Sequence, residues 1–228
     1  MKTFAIILSA GSSTRFGGNV KKQFYKINGN PVLYYSLNTF NKSDLIDEIV
    51  LVVAKEDYQI VKQFVKNNTF RKVKAIVFGG DVRQESVKNG LDQINEEGLV
   101  LIHDAARPLI DEEVISSLTN ALKDYDGAAP ALPVVDTIIK CKDNELSSYE
   151  DRESLFRIQT PQAFRLEIIK EAHKKYEGRN ATDDTQLVKL LNKKVAIVPG
   201  KEQYMKITRL EDTDAIEAYI KKNEHLQN

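Results

Sequence analysis

The stretch Ser9-Ala10-Gly11-Ser12-Ser13-Thr14-Arg15-Phe16, followed by Lys21-Lys22-Gln23, carries the densest chemistry in the chain. Small residues from 9 to 14 let backbone N–H groups approach an anion closely. Arg15 and Lys22 add two fixed cations beside it. The preceding run, Phe4-Ala5-Ile6-Ile7-Leu8, has the composition of a buried parallel strand. Together these features describe a phosphate-handling turn on the first strand of an α/β fold. The chain has no G-x-x-x-x-G-K-[ST] and no G-x-G-x-x-G, so this is neither a P-loop nor a dinucleotide fingerprint. Phosphoryl and nucleotidyl transfer ask mainly for positioning and charge neutralisation, which two cations can provide. The same residues also fit an ordinary Ser/Gly loop with two solvated basic side chains.

Three further groups stand where loops should follow strands. In Phe78-Gly79-Gly80-Asp81-Val82-Arg83-Gln84-Glu85-Ser86 the glycines permit a tight turn and close approach of a ligand. Backbone groups with the Ser86 hydroxyl suit a base edge, and a plain strand-to-helix turn with Asp81 as N-cap is the alternative. In His103-Asp104-Ala105-Ala106-Arg107-Pro108 a carboxylate closes a strand, well placed for Mg²⁺ or a ribose hydroxyl. Ala105 and Ala106 leave room for a ligand, and Arg107 either fixes Asp104, meets phosphate, or forms a purely structural pair with it. His103 has no second His or Cys near it and reads as structural. The last group is dispersed: Asp136-Thr137, Asp151-Arg152, Gln159-Thr160-Pro161-Gln162, Ala181-Thr182-Asp183-Asp184 and Lys206-Ile207-Thr208. These are hydroxyls and cations without a nucleophile–base pair, able to hold a second, phosphorylated substrate. Each alone passes as a turn or cap.

The elements that must position these residues alternate along the chain. Apolar runs at Phe4–Leu8, Ile49–Ala54, Val73–Phe78, Leu99–His103, Gly127–Leu132 and Val195–Pro199 predict strands. Amphipathic stretches at Pro31–Phe40, Tyr58–Asn67, Gln84–Ile94 and Glu112–Tyr125 predict helices between them. The alternation implies a mostly parallel sheet with helices on both faces and ligands outside the carboxyl ends of the strands. From Pro133 to about Phe156 the rhythm breaks into an inserted hairpin, turning at Lys142–Glu145. A lone hairpin is marginal in water, so a projecting one is expected to pack on another subunit. Helices near Arg165–Glu177 and Asp184–Leu191, and one running to about Lys222, complete the pattern, with Thr208 and Glu211 as a capping box for the last.

The 228 residues fit one sizeable domain, 42% hydrophobic. Lys+Arg and Asp+Glu balance at 33 each, which argues against a nucleic-acid partner held by bulk charge. The single cysteine, Cys141, excludes an internal disulfide and a Cys-based zinc site. No secretory pattern or 18-residue apolar run is present, so the expectation is a cytoplasmic protein with no membrane partner.

Taken in order, S-A-G-S-S-T-R-F with K-K-Q-F, G-G-D-V-R-Q-E-S-V, H-D-A-A-R-P, V-V-D-T-I, D-R-E-S-L-F-R-I-Q-T-P-Q-A-F, T-D-D and K-I-T resemble the 2-C-methyl-D-erythritol 4-phosphate cytidylyltransferases of the non-mevalonate isoprenoid pathway, over nearly the whole chain. The resemblance implies a Rossmann-like fold with a β-hairpin dimerisation arm at about 133–156, and transfer of cytidylyl from CTP to a polyol phosphate with Mg²⁺ and release of pyrophosphate. It implies that Arg15 and Lys22 stabilise charge on the α-phosphate and leaving group. CTP would lie against Ala10, Gly11, Ser12, Gly79, Gly80, Asp81, Ser86, Asp104 and Ala105, with Asp104 at the metal. Asp104, Arg107, Thr137, Arg152, Thr160, Thr182 and Lys206 would hold methylerythritol phosphate. Arg152 and Lys206 would aim its phosphate, and Thr137 and Arg152 would serve the partner subunit's site in a homodimer. The attacking phosphate is already an anion, so the absence of a catalytic His or Cys is consistent. Ser9 stands where the family more often has Ala, and Phe156 where Trp is common. Ribitol-5-phosphate cytidylyltransferase is the nearest rival; Ala105-Ala106 and D-R-E-S-L-F look more like the methylerythritol enzymes. Arg15, Lys22, Arg152 and Lys206 together speak against a non-catalytic nucleotide-binding regulator. An NAD oxidoreductase fails on the missing glycine fingerprint.

Overall fold

The computed structural model describes residues 1–17 and 20–225, with side chains to residue 222. In chain order the elements are β1 (Lys2–Ser9), β2 (Lys26–Ile27), β3 (Asn30–Pro31), α1 (Val32–Lys42), β4 (Glu48–Val53), α2 (Tyr58–Asn67), β5 (Val73–Phe78), α3 (Arg83–Leu91), β6 (Gly98–Asp104), α4 (Glu112–Ala121) and β7 (Gly127–Pro133). They continue with β8 (Ile139–Lys142), β9 (Glu145–Tyr149), β10 (Phe156–Ile158), β11 (Gln162–Arg165), α5 (Leu166–Lys175), α6 (Asp184–Leu190), β12 (Val195–Pro199) and α7 (Asp212–His225).

The apolar run that opens the chain becomes the centre of an eight-stranded sheet, in the order β10-β7-β11-β6-β1-β4-β5 with β12 on β7. β1 pairs in parallel with β4 on one side and β6 on the other. The chain leaves β1 towards β4 and β5, then returns to β6, so the strand order reverses beside β1. That is where open α/β sheets form their crevice. Successive side chains of β1 point to opposite faces, as a strand's period of two requires. Ala5 and Ile7 join a core with Leu37 and Phe40 of α1, Val61 of α2 and Ile115 of α4. Phe4 and Ile6 join the other, with Val87 of α3, Ile169 of α5 and Leu187 of α6. Helices therefore cover both faces, as the alternation of the sequence predicts.

All six expected strand runs are strands, but the sheet also contains β10 and β11, antiparallel to their neighbours. β11 was not legible: Gln162-Ala163-Phe164-Arg165 is too short and polar to signal a strand, yet it is wedged between β6 and β7 and buried except at its end. Ile158 pairs with Ala131 and Ala163 with Ala128, so five residues are spent where the partner strand advances three. Gln159 N–H still donates to Pro130 O at 2.8 Å, and the two surplus residues are taken up in the bulge at Thr160-Pro161. A third apolar cluster joins Phe16, Ile27, Val32, Ile207 and Ile216, tying the end of the first loop to α7.

The inserted hairpin is β8–β9, turning on Asp143 and Asn144 at φ +51 and +65, the mirror-image conformation that matches strand twist. The expected capping box at the last helix is corrected. α7 starts at Asp212, whose carboxylate accepts the backbone N–H of Thr208 and Arg209 at 2.6 and 2.8 Å. Thr208 Oγ1 donates instead to Lys206 O, and Glu211 is not the reciprocal partner.

Candidate active site

A cleft of about 380 Å³ opens at the carboxyl ends of the central strands, lined by 8–13, Lys22, Gln23, 80–83, Ser86, 104–106 and Lys206. It gathers three of the strand-end loops that the sequence marks. The glycine requirement at 79 is steric: a Cβ there would overlap Ala10 Cβ and stand 2.9 Å from Ser86 Oγ, so only bare backbone lets these two loops meet. Gly80 N–H donates to Ser86 Oγ at 3.1 Å. Asp81 is not the N-cap of α3. That position is Val82, and the Glu85 carboxylate reaches back to the Asp81 N–H at 2.8 Å.

The first loop is latched from below. Ser13, at φ +58, accepts the Lys22 N–H through its hydroxyl at 3.2 Å and donates to Gln23 Oε1 at 3.0 Å. Buried Gln23 donates in turn to Asp57, which accepts from Lys21 Nζ through both oxygens at 2.9 Å, while Lys21 Nζ also donates to Glu56 at 2.8 Å. Lys21 is thereby spent on structure while Lys22 points the other way, donating from Nζ to Ile207 O at 2.8 Å. Burial, with Lys206 and Arg15 nearby and only Asp104 and Asp212 opposing, lowers the Lys22 pKa to about 8. Arg15 is exposed and lies outside the cleft lining, within electrostatic reach of Lys22.

Asp104 ends β6 at 9% exposure. Its Oδ2 accepts from Lys206 Nζ at 2.6 Å and its Oδ1 from Arg83 Nε at 3.3 Å. Burial would raise its pKa, but Arg83 and Lys206 outweigh that and hold it well below the usual carboxylate range. The Asp104 N–H donates to Thr160 Oγ1 at 3.2 Å. The bulge in the antiparallel strand thus supplies a hydroxyl where a ladder bond would end. His103 Nε2 contacts Arg107 O at 3.1 Å, so that nitrogen carries the proton and Nδ1 accepts from the Thr160 hydroxyl at 3.1 Å. Burial lowers the His103 pKa to about 3, so it is a neutral brace for the loop, as the sequence suggests. The Arg107 backbone N–H donates to Asp104 O at 2.9 Å, but its guanidinium is directed away from the Asp104 carboxylate and donates to Tyr204 O at 2.7 Å. Arg83 and Lys206 are the residues that fix Asp104.

A second cleft of about 200 Å³ adjoins the first, lined by Arg83, Asp104, Arg107, 158–160, 182–183, Gln186 and Lys206. Arg83, Asp104 and Lys206 line both. The structure therefore brings together Ala10, Gly11, Ser12, Lys22, Gly80, Asp81, Ser86, Asp104 and Ala105 around the first cleft, and Asp104, Arg107, Thr160, Thr182 and Lys206 around the second. Thr137 and Arg152 line neither. Both are exposed at the arm, where Arg152 donates to Val135 O at 3.0 Å. Sequence reasoning missed Arg83 and Gln186, and it placed Gln159 and Asp183 only within stretches able to hold a second substrate, without singling them out. Arg83 lay inside a quoted motif, but nothing local distinguishes it from a solvated helix-start arginine. Among the described residues no cluster of three or more His, Cys, Asp or Glu could hold a metal.

Residues 3–222 match the model of the family described as 2-C-methyl-D-erythritol 4-phosphate cytidylyltransferase. A relative of that description from Clostridium beijerinckii is 41% identical over 221 residues, 95% of this chain and 97% of its own. The crystal structure of 4-diphosphocytidyl-2C-methyl-D-erythritol synthase from Anaerococcus prevotii superposes with a TM-score of 0.84 at 31% identity, covering 96% of both chains. The bifunctional IspDF of Campylobacter jejuni aligns at 32% identity and TM-score 0.80, over 93% of this chain and 53% of its own.

Proposed function

The chain belongs to the 2-C-methyl-D-erythritol 4-phosphate cytidylyltransferase family, and from that footing we propose that its adjoining clefts hold the two substrates of a cytidylyl transfer. CTP occupies the larger cleft and 2-C-methyl-D-erythritol 4-phosphate the smaller. The enzyme is a nucleotidyltransferase of isoprenoid biosynthesis. The observation that carries the assignment is the shared wall of Arg83, Asp104 and Lys206, since two anionic reactants must meet at one place.

Cytosine lies against the backbone at Gly79–Asp81 and the Ser86 hydroxyl, and the triphosphate against the N–H groups of Ala10–Ser12. A phosphate oxygen of the second substrate attacks the α-phosphorus. The α–β P–O bond breaks and pyrophosphate leaves. No proton need be removed from the nucleophile, which fits a site without a nucleophile–base pair. Lys22 and Arg15 stabilise charge on the α-phosphate and leaving group, and Lys206 orients the incoming phosphate. Thr160 and Thr182 hold its polyol, and Arg107 its anionic end. Asp104 fits a divalent ion that arrives with the nucleotide, because Mg²⁺ takes one or two carboxylates with phosphate oxygens and water; bound there, it would neutralise triphosphate charge.

One nucleotidyltransferase unit spans the chain, and its arm at about 133–156 makes a homodimer that delivers Thr137 and Arg152 to the partner's smaller cleft. Supporting this, Val135 is 71% exposed and Tyr149 68%, beside exposed Ile139, Leu146 and Phe156. An apolar group of that kind on a two-stranded arm needs cover. No helix among the described residues is long and apolar enough to cross a membrane; the cytoplasm is part of the proposal. The test is pyrophosphate release from CTP and Mg²⁺ with each polyol phosphate in turn. Release with methylerythritol phosphate is expected; release with ribitol phosphate alone would reassign the alcohol, and none with either would refute the reading.

A further inference from the structure

Behind the shared wall a hydrogen-bonded chain runs from Arg83 to two buried residues, Asp184 and His173, that line neither cleft. Asp184, at the start of α6, is 1% exposed, and His173, on α5, is 2% exposed. Asp184 Oδ2 accepts from Arg83 Nη1 at 2.7 Å, and its Oδ1 from His173 Nε2 at 3.0 Å. Arg83 spends its Nε on Asp104. The guanidinium is thus strung between two carboxylates, of which Asp104 faces the substrates and Asp184 faces the interior. Burial alone would disfavour the Arg83 cation, but the two carboxylates hold it firmly ionised. His173 Nδ1 is buried without a partner, so the Asp184 contact is what orients the ring. Burying an ion pair this way is a poor route to stability, and leaving an imidazole nitrogen unsatisfied adds to the cost.

We propose that Asp184 and His173 are positioning residues for the transfer: they fix the Arg83 guanidinium, and through it the Asp104 carboxylate, at the wall common to both clefts. Without Asp184, Arg83 keeps only its longer Nε contact to Asp104, its guanidinium is free to turn onto an incoming phosphate, and the angle between the two reactants loses its reference. Supporting groups of this kind act on geometry, so their loss falls on kcat more than on ground-state binding.

The inference rests on the reading of the clefts as the CTP and polyol phosphate subsites, and the experiment separates the two. Steady-state pyrophosphate release is measured for the native chain, Asp184→Asn, Arg83→Gln, the double variant, His173→Leu and His173→Gln, each checked for folding by thermal melting. Asp184→Asn is expected to lower kcat about tenfold or more with KM for CTP changed less than about threefold, and the double variant to be no slower than Arg83→Gln alone. His173→Leu is expected to lower kcat, and His173→Gln, which retains a donor towards Asp184, to recover most of it. Where Asp184→Asn does not fold, the His173 pair decides the matter. Multiplying losses in the double variant, or equal kcat in the two His173 variants, would overturn the relay while leaving the cleft assignment intact. No release from the native chain would overturn the assignment and the relay together.

Discussion

Lys22 is where charge, burial and position combine most directly. Its ammonium is the form that stabilises a developing anion, and in the free enzyme that form is lost as pH rises through about 8. The expected result is an alkaline limb in kcat/KM for CTP with an apparent pKa near 8, displaced upward in kcat because bound triphosphate favours the charged lysine. A limb near the unperturbed lysine value in both parameters would contradict it. Lys22→Ala is expected to reduce kcat by about 100-fold or more while weakening CTP binding far less; equal losses would mean ground-state binding only. The first loop and Asp104 were legible because small residues, cations and a strand-end carboxylate are local signals. Arg83 was not, because what makes it functional is its contact with partners 21 and 101 positions away.

At the scale of elements, the site depends on loops meeting across strands. The contact of Gly79 with Ala10 and Ser86 is the tightest instance. Gly79→Ala is expected to push the second loop off the first, costing about 1–3 kcal/mol as overpacking does and raising KM for CTP by about tenfold. Titration with CTP against the native chain checks this, and unchanged affinity would show that the loops part without consequence. The parallel strands were readable from continuous apolar runs, since burial on both faces selects such runs. β11 was unreadable because its burial is imposed by β6 and β7 on either side, and its polar Gln162 is buried there with Nε2 donating to Gln159 O and Asp183 while Oε1 is left without a partner. The bulge that lifts Thr160 to Asp104 is a product of register between two distant strands, which no local pattern encodes.

For the whole molecule, the proposed dimer arm would set how many chains an active site requires. Arg152 lies outside its own chain's clefts, so a site completed by the partner predicts complementation. Arg152→Ala and Lys22→Ala homodimers should each be nearly inactive, and mixing them after reversible dissociation should restore about a quarter of native activity, because half the dimers are mixed and each has one intact site. No recovery in mixtures shown by light scattering to be dimeric would place Arg152 outside the catalytic unit. The hairpin itself could be read from its turn residues, Asp143-Asn144, whereas its purpose could not, since exposed apolar side chains become informative only when the fold shows that nothing of the same chain covers them.

The burial of Lys22, with Lys206 and Arg15 crowding it, also makes nucleotide binding a proton-coupled event. At pH 8 roughly half of the Lys22 side chains in the free protein are neutral, and a bound triphosphate draws them to the ammonium form. The complex therefore takes protons from the medium. Its calorimetric heat should vary linearly with the ionisation enthalpy of the buffer, with a slope of up to about half a proton at pH 8 that fades towards pH 6.5 and is absent in Lys22→Ala.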